Sequence, residues 1–205
     1  MRGWLVVATV RFGAALGCLA TYAPPLRVTM GPGGRPWERL RRLGSRLFGA
    51  VFDERAGPRP ITYGEYAGRF DGPLAELEYR LWSRGFRRNP LSRLKTRDGT
   101  PECGSWAVRE SPLADRQVHL MLFRDDDDGV DVYAHEELSS LNPSRGIEHF
   151  DGVSMNVAAG VHEARKHLGL DTDGVPSGPP AGHWSLGPRT RADAGVVAGD
   201  GAAAE

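Results

Sequence analysis

The chain has 205 residues, of which 40% are hydrophobic and 25% charged, and this composition excludes a collagenous or wholly disordered chain. Its two cysteines cannot by themselves form a disulfide scaffold or a four-ligand zinc site. The formal net charge is zero, but the part through Arg97 has a balance of +11 and the rest a balance of −11. We therefore expect the two parts to attract each other within one fold.

Residues 1–29 form an apolar leader whose central run, from Trp4 to Ala23, is about as long as a membrane span. Arg11 interrupts this run, and a charged side chain at mid-span costs about 2.5–3.5 kcal/mol on insertion scales. Two interpretations stay open. Either Met30 is the true first residue and the leader is an over-extended start of a cytoplasmic protein, or the leader is a membrane anchor.

Residues 30–60 are predicted to form a basic amphipathic helix followed by a linker. Apolar residues recur at helical spacing from Pro36 to Phe52, while four arginines occupy the other face of the helix. We expect this helix to pack on its own domain, although a basic helix of this kind also suits an anionic membrane or a protein partner.

The core domain is predicted over residues 61–172. A helix begins near Asp71, whose side chain can cap it, and ends at Gly85, and a last helix covers Asn156–Leu168. Between these helices the pattern predicts four short strands: Leu91–Thr96, Ser105–Arg109, Gln117–Phe123 and Val130–Ala134. This order predicts an α+β fold, with a short antiparallel sheet of three to four strands and helices packed on one face.

Residues 173–205 are predicted to be a disordered tail. The segment is rich in Gly, Ala and Pro and has few large apolar side chains, so it cannot bury enough surface to offset the entropy of ordering. Within it, Trp184 and Leu186 are the candidates for a docking point.

The predicted hairpin relates two histidines to each other. If Arg124 pairs with Val130, His119 stands directly opposite His135, with their Cβ atoms about 5 Å apart. Glu136 and Glu137 come next along the strand, and two imidazoles with a carboxylate are side chains that hold metal ions or transfer protons. The other face would be buried and would carry Leu120, Leu122, Val132 and Ala134. The pattern thus predicts a metal-binding or hydrolytic site at His119, His135 and Glu137. The competing interpretation is two solvated histidines on an open sheet face.

A second candidate site is the basic segment 80–97. It contains no acidic residue, and two aromatic side chains, Trp82 and Phe86, lie among its cations. Cations that follow a phosphate backbone, with an aromatic ring to stack on a base, are typical of nucleic-acid binding. The candidate nucleic-acid-binding residues are Arg84, Arg87, Arg88, Arg93, Lys95 and Arg97. The alternative is that both aromatic residues belong to the buried stripe of the helix that ends at Gly85.

Three short motifs lie within the core domain: Gly85-Phe86-x-x-Asn89-Pro90, Ser105-Trp106-x-x-Arg109-Glu110-Ser111 and Val132-Tyr133-Ala134-His135-x-Glu137. Together they resemble a family of small uncharacterised proteins from halophilic archaea, over about residues 60–170. No activity is assigned to that family, so the resemblance implies no catalytic residue.

From the sequence we therefore expect a small cytoplasmic protein that acts as a non-catalytic binding or interaction module, with a protein partner and no cofactor. Common nucleotide-binding and hydrolase motifs, such as a Walker loop or Gly-x-Ser-x-Gly, do not occur in the chain. The alternatives are a metal-binding or hydrolytic site on the histidine pair and nucleic-acid binding through the segment 80–97. A membrane partner requires that residues 1–29 be retained.

Overall fold

The computed structural model describes residues 2–23, 31–32, 38–39, 41–43, 58–89, 91–125, 129–145, 148–149, 152–169 and 184–185. Most of the predicted helix Pro36–Phe52 lies outside these residues, but the described positions 38–39 and 41–43 are helical. The predicted disordered tail also lies outside them, apart from positions 184–185.

Within the described residues, the helices are α1 (Arg2–Tyr22), α2 (Leu74–Ser83) and α3 (Val157–Leu168), with a short 3-10 turn at Tyr63–Glu65. The strands are β1 (Arg59–Pro60), β2 (Tyr66–Phe70), β3 (Arg87–Arg88), β4 (Lys95–Arg97), β5 (Thr100–Pro101), β6 (Gly104–Val108), β7 (Arg116–Arg124), β8 (Val130–Leu138) and β9 (Trp184–Ser185). The predicted α+β class is confirmed.

The main sheet is antiparallel, with the order β3-β6-β7-β8-β2, and the two-residue strand β9 pairs with the outer edge of β2. The main sheet therefore has more strands than the three to four that were predicted. Strand β2 was not predicted because its residues from Ala67 to Phe70 are all buried, and burial on both faces removes the alternation of apolar and polar residues that identifies a strand.

A second sheet contains β1, β4 and β5, and in it β1 and β4 run parallel. The predicted strand Leu91–Thr96 does not extend the main sheet, since the strand observed there is β4, which belongs to this second sheet. Arg97 of β4 forms an ion pair with Asp131 of β8 and lies over the ring of Phe123, with its guanidinium carbon 5.4 Å from the ring centroid. The second sheet therefore packs against one face of the main sheet.

Helices α2 and α3 pack on the other face, where the even-numbered residues of β7 and β8 form the apolar core. The buried residues of this core include Leu77, Leu81, Val118, Leu120, Leu122, Val132, Ala134, Ala164 and Leu168. The predicted buried face of the hairpin is thus confirmed. Both α2 and α3 pack on this one face, and the second sheet covers the other face, a layer that the sequence did not predict.

The helix ends follow local chemistry. Asn156 caps α3 by accepting a hydrogen bond from the Ala159 amide at 3.0 Å, and Gly169 ends it in a left-handed conformation with φ of 76°. The prediction for this helix is confirmed. The predicted cap of α2 is wrong, because Pro73 precedes the helix and Asp71 instead accepts from Arg69 Nε at 3.0 Å.

Helix α1 packs on the domain through its smallest residues. A Cβ atom built at Gly17 would lie 2.8 Å from Leu141 Cδ2 and 3.2 Å from Leu91 Cδ1, so the helix approaches the domain closely at this position. Ala14 and Thr21, one helical turn to either side, are buried. Across the described part of the chain, no helix combines the length and apolar character needed to cross a membrane.

Candidate metal centre

The β7–β8 hairpin has the register predicted from the sequence. Arg124 pairs with Val130 and His119 pairs with His135, and the two imidazole ring centroids are 5.0 Å apart with the ring planes 84° apart. Both histidines are 0% exposed, because the second sheet and the 3-10 turn cover this face. The interpretation of both as solvated residues on an open face is therefore wrong.

One nitrogen of each imidazole and the Glu137 carboxylate converge on one point. His119 Nδ1 lies 3.3 Å from His135 Nε2 and 3.1 Å from Glu137 Oε1. His135 Nε2 lies 3.2 Å from Glu137 Oε2. Ligand atoms about 2.0–2.1 Å from a tetrahedral zinc ion are separated from one another by about 3.3 Å. The two imidazole nitrogens approach different oxygens of Glu137, and one ligand atom from each of the three residues lies within 4.8 Å of the other two, which is close enough for all three to bind one metal ion.

The second nitrogen of His135 is held by Glu65. Nδ1 lies 2.7 Å from Glu65 Oε1, and the other carboxylate oxygen accepts from the Thr62 amide at 2.6 Å and from the Thr62 hydroxyl at 2.9 Å. An ionised carboxylate only accepts hydrogen bonds, so Nδ1 of His135 carries the proton. In the neutral ring this leaves the lone pair on Nε2, which faces His119 and Glu137.

The second nitrogen of His119 belongs to a chain of hydroxyl groups. Its Nε2 lies 2.7 Å from Ser105 Oγ, which lies 2.7 Å from Ser92 Oγ, and Ser92 donates to the carbonyl oxygen of Asn89 at 3.3 Å. A carbonyl only accepts, so each hydroxyl donates toward Asn89 and Ser105 accepts from His119. The Nδ1 lone pair of His119 then also faces the convergence point.

Three electron-rich groups thus meet in a buried place, and such an arrangement requires a positive charge between them. Burial alone would raise the pKa of Glu137, but the positive charges that His149, His119 and His135 can carry hold that pKa well below its ordinary value. Glu137 is also fixed by Gln117, whose Nε2 donates to Oε1 at 2.7 Å. The carboxylate is therefore charged and ready to bind a cation.

The two imidazoles differ in how readily they take a proton. Burial lowers the pKa of His119 to about 4, and the attraction of Glu137 offsets this only in part. Burial also opposes the charging of His135, but the charge of Glu137 and hydrogen bonds to Glu137 and Glu65 outweigh it and raise the pKa of His135. His135 is therefore the imidazole of the pair that takes a proton more readily.

Within the described residues, the set of three or more His, Cys, Asp or Glu side chains with metal-ligand spacing is the predicted triad of His119, His135 and Glu137. The sequence analysis did not identify Glu65, because it lies in a turn seventy positions before its partner His135 and no local pattern connects them. The contact of Gln117 with Glu137 could have been predicted from the sequence, because the register that pairs His119 with His135 also pairs these two residues.

The predicted nucleic-acid-binding cations do not form one exposed surface. Arg88 is buried between two carboxylates, with Nη1 3.1 Å from Glu38 and Nη2 2.6 Å from Glu78. Lys95 is buried, and Arg93 is half-buried. Buried ion pairs therefore explain part of the positive charge that the sequence shows in this segment.

The other cations of the segment have different surroundings. Arg97 pairs with Asp131, and Arg87 lies over the ring of Trp82, with its guanidinium carbon 3.8 Å from the ring centroid. Arg84 is exposed just after the end of α2. The structure therefore scatters the six predicted residues, while it brings the metal triad together.

Comparison of the chain with protein-family models, with curated proteins and with solved structures gave no match. The resemblance to a haloarchaeal family stays a prediction. The function is therefore inferred from the geometry of the triad and its surroundings.

Proposed function

We propose that this protein binds one divalent transition-metal ion, with zinc as the best match, through His119 Nδ1, His135 Nε2 and Glu137. The observation that carries the proposal is that one ligand atom from each residue lies within 4.8 Å of the other two, with the imidazole nitrogens 3.3 Å apart and each 3.1–3.2 Å from an oxygen of Glu137. Imidazole nitrogens favour zinc and its neighbours in the first transition series, whereas magnesium and calcium take oxygen ligands.

The surroundings of the triad support the proposal. Histidines that bind metal ions usually donate their other ring nitrogen to a carboxylate, carbonyl or other acceptor, which fixes the tautomer. His135 has Glu65 in this place and His119 has Ser105, each at 2.7 Å. Glu65 and Ser105 thus occupy the outer ring nitrogens, so that in the neutral rings both remaining lone pairs face Glu137.

The burial of the triad favours a structural use of the ion. The ion would join β7 to β8 beneath the second sheet, and its binding free energy would then stabilise the fold. Three protein ligands leave one tetrahedral position for a water molecule enclosed with the ion. We therefore keep the expectation of a non-catalytic binding module, now with a metal ion in its core.

The test is calorimetric titration of the full chain with Zn²⁺, in wild type and in Glu137→Gln, which keeps the shape of the side chain and removes its charge. The matched control is His162→Ala, because His162 is an exposed histidine on α3, away from the triad. We expect one equivalent bound by wild type and control, with at least a hundredfold weaker binding by Glu137→Gln. No binding by wild type, or equal binding by Glu137→Gln in a folded state confirmed by circular dichroism, would overturn the proposal.

A further inference from the structure

An ordinary surface helix packs its large apolar side chains against the core. Helix α1 instead exposes large apolar side chains to solvent. Among the residues of this helix whose exposure the structure describes, the buried ones are Ala14, Gly17 and Thr21, which lie at helical intervals on one side. Its exposed positions include Phe12 at 67%, Leu16 at 51% and Leu19 at 61%. Small residues therefore fix the helix to the domain, while Phe12, Leu16 and Leu19 point away from it.

The exposed side chains form one continuous stripe. At about 100° per residue, Phe12, Leu16 and Leu19 fall within an arc of about 40–60° on the helix surface. Ala8 and Ala15 are also exposed, on the same side. Packing within the described residues leaves this stripe uncovered, although contiguous apolar surface in water is unfavourable and usually marks an interaction site.

The charge of this part of the sequence favours one kind of partner. Residues 1–37 contain four arginines and no aspartate or glutamate. Arg11 is exposed at the edge of the stripe, next to Phe12. A helix with an apolar stripe and flanking cations is the kind that lies in the interface of an anionic membrane. A second copy of the chain fits less well, because the two stripes would bring like charges together.

We propose that α1 docks this protein on an anionic lipid surface, with Phe12, Leu16 and Leu19 inserted among the acyl chains and Arg11 at the phosphate groups. The helix lies parallel to the surface, because its opposite side is packed on the domain at Gly17. This docking does not depend on the proposed metal site, whose residues lie in the core of the domain.

The test is co-sedimentation of the full chain with vesicles of phosphatidylcholine alone and with 30% phosphatidylglycerol. We expect at least tenfold stronger binding to the anionic vesicles, decreasing as salt increases. The double variant Phe12→Ser/Leu16→Ser should lose at least tenfold in binding. The matched control Tyr79→Ser removes a large side chain that is 66% exposed on α2, and it should bind as wild type does.

Three results would overturn the proposal. The first is no binding of wild type to either kind of vesicle. The second is undiminished binding by the double variant. The third is a wild-type dimer in sedimentation velocity that the double variant abolishes while vesicle binding is absent, which would assign the stripe to a second copy of the chain. Because the substituted side chains are exposed, both variants should keep the circular dichroism spectrum of wild type.

Discussion

Gly160→Ala tests how tightly α3 packs on β8, the strand that carries His135 and Glu137. A Cβ atom at Gly160 would lie 2.1 Å from the amide nitrogen of Glu136 and from the carbonyl carbon of His135. Backbone atoms on both sides leave no flexible side chain that can move away, so α3 or β8 must shift. Overpacking of this kind costs typically 1–3 kcal/mol, and we take about 3 kcal/mol because the clash is with backbone.

The substitution also has a favourable part, since Ala in a helix interior is about 1 kcal/mol better than Gly. The free energy of unfolding should therefore fall by about 2 kcal/mol, which lowers Tm by about 4–8 °C for a chain of this size. Urea and thermal unfolding followed by circular dichroism measure both quantities.

The control for this prediction is Gly13→Ala in α1. A Cβ atom there would meet nothing within 4 Å, so the helix-propensity gain of up to about 1 kcal/mol should appear without a steric cost. Equal stabilisation by both substitutions would refute the close packing of α3 on β8.

Three further predictions concern other parts of the fold. Asn156→Ala removes the cap of α3 and should lower the free energy of unfolding by about 1 kcal/mol, with no loss in Asn156→Ser, as measured by urea unfolding. Arg88→Ala removes the buried guanidinium that pairs with Glu38 and Glu78, although Arg41 still pairs with Glu38, and should lower the free energy of unfolding by about 3–5 kcal/mol; a folded variant with wild-type stability but weaker retention on heparin would instead favour a nucleic-acid role. Burial opposes the ionisation of Glu65, but hydrogen bonds from His135 and Thr62 outweigh it and lower its pKa from 4.5 to about 2. The Glu65 carboxylate therefore contributes stability above pH 4.5 that is lost as pH falls toward 2. The difference in unfolding free energy between wild type and Glu65→Gln should shrink over that range. A difference that stays constant with pH would contradict this assignment.

The hairpin register could be predicted from the sequence because a short acidic turn separates two strands with matching alternation. Leu120 and Leu122 fall on one face with Val132 and Ala134, and this requirement excludes a slip of one residue. The last helix was predictable for a similar reason, since its cap, Asn156, lies within the local sequence.

The burial of the polar face could not be predicted, because the segments that cover it are far away in the chain. Charged residues such as Lys95 and Glu38 are ordinarily expected at the surface. Here Glu38 and Arg41 pair at 2.8 Å, and Arg41 also pairs with Glu102 at 2.8 Å, so that ionic groups are buried together. Composition and periodicity do not reveal such pairing between distant segments.

The most direct test of the metal centre is a long-range ¹H–¹⁵N NMR spectrum of the imidazole side chains, recorded with and without one equivalent of Zn²⁺. The geometry predicts that zinc shifts Nδ1 of His119 and Nε2 of His135, while protons stay on His119 Nε2, bonded to Ser105, and on His135 Nδ1, bonded to Glu65. Spectra of both rings that do not change with zinc, or protons found on the two nitrogens that face Glu137 in the presence of zinc, would contradict a metal site at this triad.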